Sequence, residues 1–172
     1  IWVAKTAIYA FWYSVSISAY GEIQTAVIDG GQIYVSVDYG NNWIAKTFII
    51  EPWKSVSISA NGIIQTAVGL DRIFVSIDKG DNWNKIDFVG DLRAVAMSAN
   101  GFIQSASIYR GQIIVSSNFG NSWNTTVANK NWKSVAMSSD GIKQTAVVEN
   151  GQIYKSIDSG NTWDAKESNR NW

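Results

Sequence analysis

The chain contains no cysteine and no histidine. The first absence removes disulfide staples and thiolate metal sites; the second removes Ser/His, Cys/His and histidine–metal chemistry. Fourteen basic residues balance fourteen acidic ones, so the positive footprint of a nucleic-acid or anionic-membrane binder is missing. There is one proline, Pro52, and no stretch with helical periodicity. No apolar run approaches the roughly 18–20 residues that a helix needs to cross a bilayer, and the N-terminus lacks a charged-then-apolar signal pattern. The expectations are no metal, no cofactor, no nucleic acid and no membrane insertion.

What the chain does have is a phrase written four times. SVDYGNNW ends at Trp43, SIDKGDNW at Trp83, SSNFGNSW at Trp123 and SIDSGNTW at Trp163. A fixed period of this size means one supersecondary unit repeated, and repeats without linkers argue for a single domain. With 172 residues and 46% hydrophobic content the chain is long enough for one well-buried core.

Each period holds four short β-like runs. In the second they fall at 55–59, 64–68, 73–76 and 83–85, rich in Val, Ile, Thr and aromatics and separated by Gly/Asn/Asp turns. The first two runs are joined at Asn61-Gly62, with Tyr20-Gly21, Asn100-Gly101 and Asp140-Gly141 in the matching places. Such pairs supply the positive φ of tight hairpins. The first strand alternates bulky and small residues, as in Val56 and Ile58 against Ser55, Ser57 and Ser59. That pattern fits a sheet packed on both faces, the large side chains of one unit on the flat face of the next. Four-stranded antiparallel sheets of about 40 residues, stacked face to face, read as the blades of an all-β β-propeller; the rival is a β-solenoid.

The phrase S-x-D-x-G-x-x-W resembles the Asp box, or BNR repeat, of sialidases, sortilin-type receptors, xyloglucanases and a photosystem II assembly factor. The resemblance covers all four periods and implies a structural turn between the third and fourth strands of each blade. It gives blades at 12–52, 53–91, 92–131 and 132–171, with 1–11 ending a preceding blade. Residues 1–6 repeat a fourth strand and Trp172 opens another first strand, so the chain is expected to be an excerpt of a larger ring or to complete a ring by self-association. In each box Asp38, Asp78 and Asp158 accept backbone N–H groups of their own turn, while Trp43, Trp83, Trp123 and Trp163 anchor it. Asn118 replaces the acid in the third copy, keeping an acceptor and losing the charge. As calcium loops these turns lack the further oxygen ligands and the distal Glu of an EF-hand.

Gln24, Gln65, Gln104 and Gln144 recur in the second strand, as buried amides bonding backbone would. Because strands alternate in direction, the boxes and Asn-Gly turns share one rim, and the other collects what varies: 28–31, 69–72, 108–111, 149–151 and the blade-to-blade links. Specificity belongs on loops free to differ. Arg72, Arg93, Arg110 and Arg170 all fall on or beside that second rim. A sialidase grips its substrate carboxylate with three arginines and uses a Tyr–Glu nucleophile and an aspartate acid. Arg72, Arg93 and Arg110, with Tyr109 and Asp71 or Asp91, stand where such a site would be, but the Phe/Tyr-Arg-Ile-Pro motif of the family is absent.

All nine tryptophans are placed by the repeat: Trp2, Trp43, Trp83, Trp123 and Trp163 in boxes, and Trp12, Trp53, Trp132 and Trp172 opening first strands. Trp12, Trp53 and Trp132 carry two readings, core packing or an aromatic mouth for a sugar or apolar side chain. The leading functional expectation is a non-catalytic propeller that binds or scaffolds a protein or glycan through the variable rim. The alternative is a sialidase-like or other glycoside hydrolase fragment, with Asp29, Asp71, Asp91 and Glu149 as its carboxylates. The resemblance implies an extracellular or surface location, and Asn124-Thr125-Thr126 is a glycosylation sequon.

Overall fold

A computed structural model describes residues 10–46 and 50–166. The fragmentary repeats at either end, with Trp2, Arg170 and Trp172, lie outside the described residues. Among the described residues there is no helix. The strands are β1 (Trp12–Ile17), β2 (Gln24–Gly31), β3 (Ile33–Ser36), β4 (Ile44–Ala45), β5 (Glu51–Ile58), β6 (Gln65–Ser76) and β7 (Asn84–Met97). They continue as β8 (Gln104–Gly111), β9 (Ile113–Ser116), β10 (Asn124–Thr125), β11 (Lys130–Met137), β12 (Gln144–Val148), β13 (Ile153–Ser156) and β14 (Asp164–Ala165). Every pairing is antiparallel, and the sheet formed is open, not closed on itself.

Each sequence period gives one structural unit. In the first, β1 pairs β2, β2 pairs β3 and β3 pairs β4. The fourth repeats this through β11, β12, β13 and β14. In the middle the strands run on further than the sequence suggests. Residues 69–72, expected as a free loop, lie inside β6, and the link from the second unit to the third lies inside β7. The reason is continued pairing: Leu70 faces Asp91 and Arg72 faces Asp87, with Asp71, at φ 60°, bulged out between them.

The core lies between successive units. Val27, Ile33, Trp53, Val56, Ala67 and Phe74 form one buried cluster, and matching clusters centre on Leu92 with Val95 and on Trp132 with Val135. The glutamines stitch these layers together. Gln65, Gln104 and Gln144 are fully buried. Each donates from Nε2 to the carbonyl of its own turn glycine, Gly62, Gly101 or Gly141, at 3.0–3.1 Å. Each Oε1 accepts a hydroxyl from the preceding unit: Thr25 at 2.7 Å, Thr66 at 2.6 Å and Ser105 at 2.7 Å. A buried amide left without such partners would cost about 1–3 kcal/mol, so this ladder fixes both spacing and register.

Candidate functional site

The four S-x-D/N-x-G-x-x-W turns share one geometry. Ser36 donates its hydroxyl to Asp38 at 2.8 Å and accepts the Gly40 N–H at 2.9 Å; Asp38 accepts the Asn42 N–H at 2.8 Å. The residue before the glycine and the glycine itself both adopt positive φ, 61° at Tyr39 and 80° at Gly40, which is why glycine closes the turn. Trp43 donates its indole N–H back to the Gly40 carbonyl at 3.1 Å. The third copy compensates for its missing acid: Asn118 accepts from Ser116 and from the Ser122 N–H, and its amide donates to the Ser122 hydroxyl at 2.8 Å.

These bonds set the acidity of the turns. Asn42 backbone and side-chain donors, then Ser36, hold the Asp38 carboxyl down at about 2. At Asp78 burial is the largest influence and pushes upward, but donors from Asn82 and Ser76 outweigh it and the value falls. Thr162, through its hydroxyl and its backbone N–H, lowers Asp158. The carboxylates are consumed inside the turns that hold them.

The opposite rim is built on a bulge repeated four times. Register slips between Trp12 and Ser14, Trp53 and Ser55, Leu92 and Ala94, and Trp132 and Ser134. The extra residues are Tyr13, Lys54, Arg93 and Lys133. A bulge leaves its residue out of the ladder and re-aims its side chain. Here it seats three cations at the seams between units. Lys54 Nζ lies 3.2 Å from Asp29 and 4.6 Å from the Tyr13 ring centroid. Arg93 pairs with Asp91 and covers the Tyr109 ring at 4.9 Å. Lys133 lies 3.1 Å from Glu149. Lysines 54 and 133 were missed in the sequence; the signal was available as a cation following three of the four strand-opening residues.

The candidate residues therefore separate. Tyr109 sits opposite both Asp91 and Asn131, which gathers Asp91, Arg93, Arg110, Lys133 and Glu149 around it at the seam of units three and four. Arg72 is elsewhere, paired with Glu51, a residue only 6% exposed. Arg110 stacks on Tyr109 at 5.4 Å. The three arginines hold different partners, not a common cleft. Glu149 is held below its ordinary range, chiefly by the hydrogen bond from Lys133, with desolvation opposing. That is the reverse of what a general acid needs.

The aromatic mouth is also corrected. Trp53 and Trp132 are 0% exposed. Trp53 packs edge-on against Phe74 and donates to the Gly31 carbonyl of the preceding unit at 2.8 Å; Trp132 packs edge-on against Tyr154. A buried indole offers no face to a ligand. Trp12 makes the same contact with Tyr34 yet stays 38% exposed, because it belongs to the first unit. What the rim does expose is apolar: Phe11 85%, Ile50 69%, Leu70 46% and Val89 93%.

No family model and no curated protein matches the chain. Two solved structures are similar to it. A GH74 enzyme from Niastella koreensis matches 90% of this chain with 19% identity and a TM-score of 0.70. YCF48 from Cyanidioschyzon merolae matches 88% with 18% identity and a TM-score of 0.64. Both are β-propeller proteins, and the chain shares their fold. It spans 24% of the first and 55% of the second.

Proposed function

We propose that the chain is a run of Asp-box propeller blades, one per repeat, that binds or scaffolds a protein partner through the variable rim. The repeated turns stiffen the blades; the bulged cations and the exposed apolar residues form the contact surface. The observation that carries this reading is the row Phe11, Ile50, Leu70 and Val89, exposed at the seams of the first three units beside Lys54, Asp29, Arg72 and Asp91. Apolar anchors ringed by charged groups suit a protein contact better than a sugar platform, since the tryptophans that would stack a sugar are in the core.

The test uses wild type beside Phe11→Ser/Leu70→Ser/Val89→Ser, a variant of surface positions that keeps its fold. A protein partner retained by wild type and lost by the variant supports the reading. Equal retention overturns it. Binding on a glycan array that survives the triple substitution, or hydrolysis of a fluorogenic glycoside abolished by Arg110→Ala, moves the assignment to a glycan module or a glycoside hydrolase.

A further inference from the structure

The three seams between units are copies of one interface, and the two ends of the molecule expose its two halves. At each seam a first-strand valine of the following unit is buried: Val56 5%, Val95 6%, Val135 6%. Beneath it the preceding unit presents small residues, and serines there accept backbone N–H groups: Ser14 from Val56, Ser16 from Ile58 and Ser55 from Val95, each at 3.2 Å.

Two glycine contacts make the seam exacting. A Cβ on Gly62, Gly101 or Gly141 would stand 2.6–2.7 Å from Ile23, Ile64 or Ile103 of the preceding unit. A Cβ on Gly80, Gly120 or Gly160 would stand 2.7–2.9 Å from Val35, Val75 or Val115. Backbone thus lies directly on an apolar side chain at six places. In the fourth unit the corresponding positions are Lys143 and Lys155, both exposed. Thr145, Ser134 and Ala136 are exposed beside them. Here lies a hollow of about 240 Å³ lined by Ala136, Met137, Lys143, Gln144, Thr145 and Lys155 among others. It is the seat that the next valine would fill.

The first unit shows the opposite half. Val15 is 65% exposed and Ile17 57%, where Val56 and Ile58 are buried. Phe11, Tyr13 and Tyr20 are exposed beside or along the same strand.

We propose that the first unit's face is a docking surface for one more repeat unit of the same kind, and that Lys143 and Lys155 cap the fourth unit against such docking. The unit that fits carries Ser or Ala along its first strand, Thr or Ser before the Ala of its second strand, and Ile and Val at the two capped positions. A second copy of this chain does not fit. Seating it would press Gly21 and Gly40 onto two ammonium-bearing chains and bury their charge without room for water, a cost that the remaining contacts do not offset. Stacked-repeat proteins need such polar terminal faces to stop end-to-end growth. This inference rests on the seams and is independent of what the rim binds.

Sedimentation velocity over a wide concentration range separates the outcomes. Wild type is expected as a monomer. Lys143→Ile/Lys155→Val restores the internal sequence of the seat, and is expected to shift to dimers or larger closed species; adding Val15→Lys/Ile17→Ser to that variant returns it to monomer. Circular dichroism and a cooperative thermal transition confirm that each variant is folded. Three results overturn the proposal: a folded Lys143→Ile/Lys155→Val that stays monomeric, open-ended aggregation insensitive to the Val15 and Ile17 changes, or salt-sensitive oligomers of wild type that Glu22→Gln abolishes. The last would mean that the lysines recruit a neighbour through Glu22 and do not repel one.

Discussion

Val15 and Val56 occupy the same place in successive repeats, yet one is 65% exposed and the other 5%. The same contrast separates Trp12, at 38%, from Trp53 and Trp132, at 0%, and the partly buried Gln24 from the fully buried Gln65. Local structure is alike in all these pairs; the neighbour differs. A unit of this chain does not contain its own core. It completes the core of the unit before it and has its own completed by the unit after, so stability is a nearest-neighbour quantity.

The largest test of that contrast is Trp53→Ala against Trp12→Ala. Trp53→Ala is expected to cost about 3–5 kcal/mol, because it removes the Phe74 contact, the Gly31 hydrogen bond and a fully buried ring. Trp12→Ala should cost well under half as much. Urea denaturation of both variants measures the difference, and equal losses would show that the units are self-sufficient.

The next is Gln65→Leu against Gln24→Leu. The first strands the Thr25 hydroxyl and the Gly62 carbonyl and should cost about 1–3 kcal/mol. Gln24 makes its turn bond to Gly21 in a half-solvated setting, so its loss should be much the smaller. Midpoints that fall equally would place the amide's value inside the unit and not across the seam.

A gain is expected at Ser107. Its hydroxyl is buried without a hydrogen-bond partner, and Val27, Val68 and Val147 hold the matching register positions. Ser107→Val should stabilise the third unit by about 1 kcal/mol, read as a higher thermal midpoint, since the unpaired hydroxyl is exchanged for apolar volume. No change would mean that the seam there is looser than its neighbours.

The smallest effect compares two turns. Asp38 is held at about 2 against an ordinary 3.8. A lowered folded value means that its stabilisation is complete above about pH 4 and is lost as pH falls towards about 2. Asp38→Asn should flatten the acid limb of stability against pH in that window. Asn118 already has this character, so Asn118→Asp should steepen it. A limb unchanged by either substitution would remove these turns as the source of acid sensitivity.

Much of this was legible in the sequence. The period gave the unit, the alternation in the first strand gave its two faces, and the Ser-x-Asp-x-Gly-x-x-Trp turn formed as its residues dictate. The role of Trp53 was not, because its burial depends on Gly31 and on a preceding unit whose placement no local pattern encodes. Gly69 and Gly90 read as breaks, yet pairing of Leu70 with Asp91 carried β6 and β7 through. The bulges escaped notice because a bulge is a property of two strands in register, not of one. Lys143 and Lys155 were visible as departures from a repeat, though only the glycines lying on their counterparts gave the departure meaning.

β7 runs without interruption from Asn84 to Met97 and so belongs to the second unit and the third at once. The other two seams are crossed by short pairings at Asp29 with Pro52 and at Asn131 with Tyr109. Under tension applied at its ends the chain has a stiff middle and two compliant joints: force would part the first unit and the fourth from a central pair that yields last, as one body.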